Sequence, residues 1–255
     1  MNTTRVGLVV FICVFGGVVL GMWLRTILPT HHLDSDSKDT VKVGIGLIAT
    51  MTALVLGLVT ASAKSAFDGV NAAVKQTAIN ILTLDRVLAR YGPETGEIRK
   101  DLQQILASRI DMIWPQGFSE RPKDDPMKPG AALEGERLVE AVRGLTPRDE
   151  SQRALRSRAL DLMEATLQAR WLLFAGGDTA IPVPFLVVLL FWLTITFTSF
   201  GLFAPRNVTV LAVLFVCALS VTSALFLVVE MDGPFDGLIK ASADPLRYAH
   251  AHINQ

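Results

Sequence analysis

Four stretches of the chain carry no Asp, Glu, Lys or Arg: residues 6–24, 43–63, 179–205 and 207–229. A helix needs about 20 mostly apolar residues to cross the hydrocarbon core of a bilayer, and each stretch is close to that length or longer. In lipid every peptide N–H and C=O must find its partner inside the chain, and a helix supplies those partners segment by segment. The short alternating strands of a transmembrane barrel, about 10 residues each, are absent from the sequence. The pattern therefore predicts an all-α membrane protein with four transmembrane helices, over about 6–24, 43–63, 182–204 and 208–229. Met1 and Arg5 ahead of the first run have the outline of a secretory leader. The run exceeds a leader's apolar core, however, and Met22-Trp23-Leu24-Arg25 is a poor cleavage site, so an uncleaved helix is expected.

Between the second and third runs the pattern turns amphipathic. Val70, Val74, Ala78, Ile81, Leu84 (or Leu82), Leu88 and Tyr91 recur at helical steps, with no proline after the second span until Gly92-Pro93. The second span has no obvious stop, so a helix from Gly44 to Tyr91 is open to the chain, with Gly69 and Asn71 as the places for a bend. A second helix, marked by Ile98, Leu102, Ile105, Leu106, Ile110 and Ile113, ends at Trp114-Pro115. Residues 116–130, rich in Pro, Gly and charge, read as an exposed loop. A short helix over about 131–143 follows. A longer one starts with Thr146 as N-cap and Pro147 in the first turn, and ends at Gly176-Gly177. Its stripe of Leu155, Ala159, Leu162 and Met163 is expected to pack back along the first helix as a bundle. The predicted organisation is a transmembrane hairpin (1–63), a cytoplasmic helical domain (64–178), a second hairpin (179–229) and a cytoplasmic tail (230–255).

Composition agrees with a chain partly dissolved in lipid, 51% hydrophobic and 19% charged. Net charge is zero, and nothing has the basic footprint of a nucleic-acid binder. Four spans put both termini and the large central segment on one side of the membrane. The other side holds only Arg25, Lys38, Lys42 and Arg206 of the 24 basic residues, so the termini and central domain are read as cytoplasmic, in a bacterial inner membrane. Cys13 and Cys217 fall inside apolar runs and read as small buried side chains.

Catalytic apparatus is not visible. There is no phosphate-cradling glycine loop, no metalloprotease histidine pair and no nucleophile elbow. His31-His32 and the His250/His252 pair lack the spacing of metal-binding helices. The acidic run at residues 34–39 lacks the glycine and distal Glu of a calcium loop. No cofactor and no metal is expected.

The second span carries more information. Gly46, Thr50, Ala53, Gly57 and Thr60 follow one another at steps of three and four, ending at Lys64. Slim residues at this spacing let helices pack closely, and they equally leave room for a pore with a positive charge at its mouth. Hydroxyls in the third and fourth spans commonly satisfy their own backbone. Glu230 and Asp232 sit where the fourth span ends, at the unfavourable end of the helix dipole, where a cation from Lys64 or another chain would offset them.

Several segments together resemble a bacterial family of bestrophin-like membrane proteins: residues 46–50 and 63–68, 84–93, Ile113-Trp114-Pro115, 200–207, 230–239 and 244–247. The resemblance covers nearly the whole chain. It implies homo-oligomerisation, with a pentamer by analogy to bestrophins, which are four-span chloride channels with cytosolic helices. An Ile-Pro-Phe neck in the second span and an acidic calcium clasp are both missing, so calcium gating is not implied.

The expected function is a homo-oligomeric channel leaning toward inorganic anions and lined by the second span. The alternative is a non-conducting scaffold or sensor that recruits a protein partner through residues 116–130. An enzyme is disfavoured, because no titratable groups converge.

Overall fold

The computed structural model describes residues 3–29, 35–115, 129–175, 182–205, 207–235 and 237–255, without the side chains of 35–38, 129–133 and 170–175. The loop expected at 116–130 falls mostly outside these residues, as do His31, His32, Asp34 and Arg206. Every regular element among the described residues is helical. In chain order they are α1 (Thr3–Ile27), α2 (Ser35–Tyr91), a 3-10 turn (Pro93–Thr95), α3 (Gly96–Ile113), α4 (Pro129–Arg143), α5 (Glu150–Ala175), α6 (Val183–Phe203), α7 (Val208–Met231) and α8 (Asp244–His252). α1, α2, α6 and α7 are each long and apolar enough to cross a membrane.

The chain divides into two compact units, one of Met1–Phe67 with Thr179–Lys240, the other of Asp68–Asp178 with Ala241–Gln255. The tail after α7 is thus shared: its first part belongs with the apolar helices and its last part with the polar unit. α2 begins at Ser35, so most of the acidic run at 34–39 is helical, and the helix continues through Gly69 and Asn71.

In the first unit α1 packs along α6 and α7. Val10, Val14, Val18, Leu193, Phe197, Ala218 and Leu225 form its buried centre. Phe11 and Phe15 stack, and both meet Phe215 edge-on. The close approach of α1 to α6 depends on missing side chains. A Cβ on Gly17 would lie 2.8 Å from the Thr198 hydroxyl and 2.9 Å from the Thr194 carbonyl oxygen. Cβ atoms on Gly21 and Gly201 would overlap the opposing backbone outright, at Thr198 and Val18. With no hydrophobic drive between helices in lipid, such backbone contact is what holds a pair together. α2 enters through a second cluster, in which Val59 and Ala63 pack on Leu189 and Val228. The hydroxyls of Thr194, Thr196 and Thr198 each donate to the carbonyl four residues back, at 2.7, 2.9 and 2.7 Å.

In the second unit the predicted stripe on α2 is the buried one: Val74, Ala78, Ile81, Leu84, Leu88 and Tyr91 are all covered. Ile98, Leu102, Leu106 and Ile110 are the buried face of α3. The N-terminus of α5 corrects the sequence reading. Thr146 and Pro147 lie outside the helix, which starts at Glu150. Asp149 caps it by accepting the Gln152 N–H at 2.7 Å, while the Gln152 side chain accepts the Arg148 N–H at 2.8 Å. A carboxylate satisfying an orphan donor outcompetes a threonine three residues upstream.

Candidate functional site

The residues picked out on the second span share one face of α2. Gly46, Thr50, Ala53, Gly57, Thr60 and Lys64 are all exposed within the chain. Eighteen residues separate the ends of this row, or about 27 Å, close to the thickness of a hydrocarbon core. The opposite face holds Ile45, Thr52, Val59 and Ala63, which are buried. Beside the slim row runs a bulky one, with Val43, Leu47, Leu54 and Leu58 between 65% and 75% exposed. Among the four apolar helices α2 is the least covered. Of its apolar window 11% is buried, against 28%, 28% and 22% for α1, α6 and α7. Neither Gly46 nor Gly57 has a described atom within 4 Å of where its Cβ would be, so no contact within the chain requires glycine at either position.

The hydroxyls of this row are already engaged. Thr50 donates to the Gly46 carbonyl at 2.8 Å and Thr60 to the Leu56 carbonyl at 2.7 Å. A threonine has one proton to give, so what these side chains turn outward is oxygen lone pairs. Lys64 closes the row with a cation beside the buried Ala63.

Glu230 and Asp232 end α7. Glu230 is 3% exposed, and its carboxylate accepts the Leu238 N–H. The connecting turn needs Gly237, whose φ is +84° and whose missing Cβ would overlap the Glu230 carboxylate. A backbone amide is thus one partner of the Glu230 carboxylate. Asp232 is half-buried and serves as the C-cap residue. At the opposite ends of the spans, Arg25 donates to the carbonyl of Ala204, the C-cap of α6, where a cation meets the negative end of a helix dipole.

A buried ion pair lies in the second unit. Asp85 on α2 is fully covered, and Arg99 on α3 grips it twice, at 2.7 and 3.0 Å. Those hydrogen bonds raise the Arg99 pKa, burial opposes the rise, and the Asp85 charge adds to it. The last residues of the chain close over this pair. The Asn254 side chain donates to Gln103 at 2.9 Å, Gln103 reaches the His250 carbonyl at 3.4 Å, and Arg86 donates to the Gln255 carbonyl at 2.9 Å. The buried Trp114 indole donates to Ala241 at 2.7 Å. Among the described residues no three His, Cys, Asp or Glu side chains gather as metal ligands would.

The sequence reading missed the glycine contacts of α1 with α6, the Arg25 cap and α8. A signal existed for each: Gly17 and Gly21 stand four apart, Arg25 directly follows an apolar run, and Asp244-Pro245 is a helix start.

A model of the bestrophin-like domain matches residues 12–246 of this sequence. The chain belongs to the bestrophin-like family. No curated protein and no solved structure matches it. The bestrophin-like chain is thereby a membrane protein of a family associated with channels, and its four apolar helices agree.

Proposed function

We infer that this protein is a homo-oligomeric membrane channel, leaning toward anions, with α2 helices from several copies around a central axis. The observation carrying this reading is the bare face of α2. A helix that spans lipid, yet has little of its surface covered and two glycines open on that side, is suited to meet copies of itself or a column of water. The slim and bulky rows divide those roles, one toward the axis and the other toward the adjacent copy. Family membership supports the same reading, and a pentamer is the expected ring by analogy with bestrophins.

The anion preference rests on Lys64, which places positive charge at one mouth of the conduit. It does not rest on Thr50 or Thr60, whose protons point into their own helix. The charge bias of the connecting segments favours a bacterial inner membrane with the termini and the Lys64 mouth on the cytoplasmic side. Purified protein in planar bilayers tests the proposal. Single-channel currents with anion preference are expected, and Lys64→Glu should move the preference toward cations. Silence under several salts and pH values overturns it.

A further inference from the structure

Where α6 finishes and α2 and α7 begin, the apolar helices line a groove of about 440 Å³. Lys42, Gly46 and Ala49 line it from α2, Phe200 and Phe203 from α6, and Leu214 from α7. Its size is that of a small-ligand site, and apart from Lys42 and Ser199 its walls are apolar. The groove stays open because α2 presents no side chain larger than a methyl at positions 46 and 49. A Cβ at Gly46 would meet no described atom within 4 Å.

Two cations stand at the rim. Lys42 lines the groove directly, and Arg25 reaches it through its hydrogen bond to Ala204, another lining residue. That bond uses one of the five guanidinium N–H donors. Lys42 pairs with Asp39 at 3.0 Å, but both side chains are well exposed, at 64% and 74%, and such pairs contribute little and exchange readily. Trp23, 61% exposed near the same end of α1, has the placement of an aromatic anchored at the headgroup level.

We propose that this groove binds one anionic phospholipid, an acyl chain filling the apolar slot while Lys42 and Arg25 hold the headgroup phosphate. An apolar slot on a membrane-spanning surface loses dispersion contacts if left empty, and lipid chains are the apolar matter at hand. Lys42 in the wall and Arg25 bonded to Ala204 favour a lipid over a helix of a second copy, which would fill the slot without calling for positive charge. Gly46, the outermost member of the slim row, is shared with this slot, whereas Thr50, Ala53, Gly57, Thr60 and Lys64 are not among its walls.

Native mass spectrometry of the full chain in detergent, titrated with dioleoyl-phosphatidylglycerol or dioleoyl-phosphatidylcholine, tests the proposal. One phosphatidylglycerol per chain should be retained in preference to phosphatidylcholine. Lys42→Gln should weaken phosphatidylglycerol retention about fivefold, the effect of one basic group near an anionic headgroup, and weaken phosphatidylcholine less, because choline already balances that phosphate. Ala49→Trp should abolish both, and Gly46→Leu fills the same slot from an uncrowded position if the first variant misfolds. Val213→Trp, exposed on α7 outside the groove, should bind as wild type. Equal retention of the two lipids, or retention undiminished by either filling variant, overturns the proposal. So does a filling variant that dissociates the oligomer without changing lipid binding, since the slot then belongs to a neighbouring copy.

Discussion

Gly21 on α1 lies against the backbone of Thr198 on α6, so close that a Cβ on Gly21 would overlap the Thr198 carbonyl oxygen. Gly201 repays the contact from α6, where a Cβ would overlap the carbonyl of Val18. The two helices touch backbone to backbone because both surrender side chains at the crossing. Gly21→Val or Gly201→Val should therefore force the pair apart and destabilise the membrane unit by about 1–3 kcal/mol or more, the usual cost of overpacking. Gly16, with no described atom within 4 Å of its Cβ position, should accept Ala without loss. Thermal melts in detergent distinguish these outcomes.

The Asp85–Arg99 pair is expected to be costly to break and cheap to replace. Arg99→Met leaves a fully buried carboxylate without its main partner, which should cost about 3–5 kcal/mol. Changing Asp85→Leu as well should recover most of that loss. Because the folded pKa of Arg99 is raised, its contribution is fully present below the ordinary arginine range and is lost only as pH rises through the still higher folded value. Titration of Arg99 should therefore add no pH dependence to stability near neutrality. Denaturation of wild type and both variants across neutral pH checks the sign and the size.

Gly237 and Glu230 should behave as one unit. Gly237→Ala forces a side chain into a positive-φ position and into the Glu230 carboxylate, at a cost of about 1–3 kcal/mol. Glu230→Ala removes the acceptor of the Leu238 N–H and relieves the collision, so the double variant should cost less than the sum. A double-mutant cycle that proves additive would show the two to be uncoupled.

Trp114→Phe deletes the buried indole hydrogen bond to Ala241 and leaves that carbonyl unpaired, with an expected loss of about 1–3 kcal/mol. Hydrogen exchange should rise first in α8, which begins at Asp244, three residues after Ala241.

The transmembrane helices were legible because lipid imposes one requirement, backbone satisfaction, and uncharged length announces it. The buried stripe of α2 from Val74 to Tyr91 was legible for the same kind of reason, its period of three and four. What escaped were contacts whose meaning depends on a distant partner. Gly17 and Gly21 read as small residues in an apolar run until Thr194, Thr198 and Gly201 are set opposite them. Arg25 read as a membrane-edge charge until it met Ala204. The N-cap of α5 went astray because Thr146-Pro147 and Asp149-x-x-Gln152 are both valid starts, and only the reciprocal bonds choose between them. The slim row on α2 was visible in the sequence as a pattern. Its exposure within the chain was not, since periodicity alone does not say which face a neighbour covers.

Thr50→Val and Thr60→Val should leave ion selectivity close to wild type, because neither hydroxyl proton faces outward. Reversal potentials measured beside those of Lys64→Glu make the comparison, and a large shift from either threonine variant would return the hydroxyls to the selectivity mechanism.

Cysteine accessibility along α2 addresses the conduit most directly. In a Cys13→Ala, Cys217→Ser background reconstituted in liposomes, Thr50→Cys, Ala53→Cys and Gly57→Cys should react with a water-soluble thiol reagent, and Val59→Cys should not. Uniform protection of positions 50, 53 and 57, matching that of Val59→Cys, would place this face against lipid or protein and contradict a water-filled path along α2.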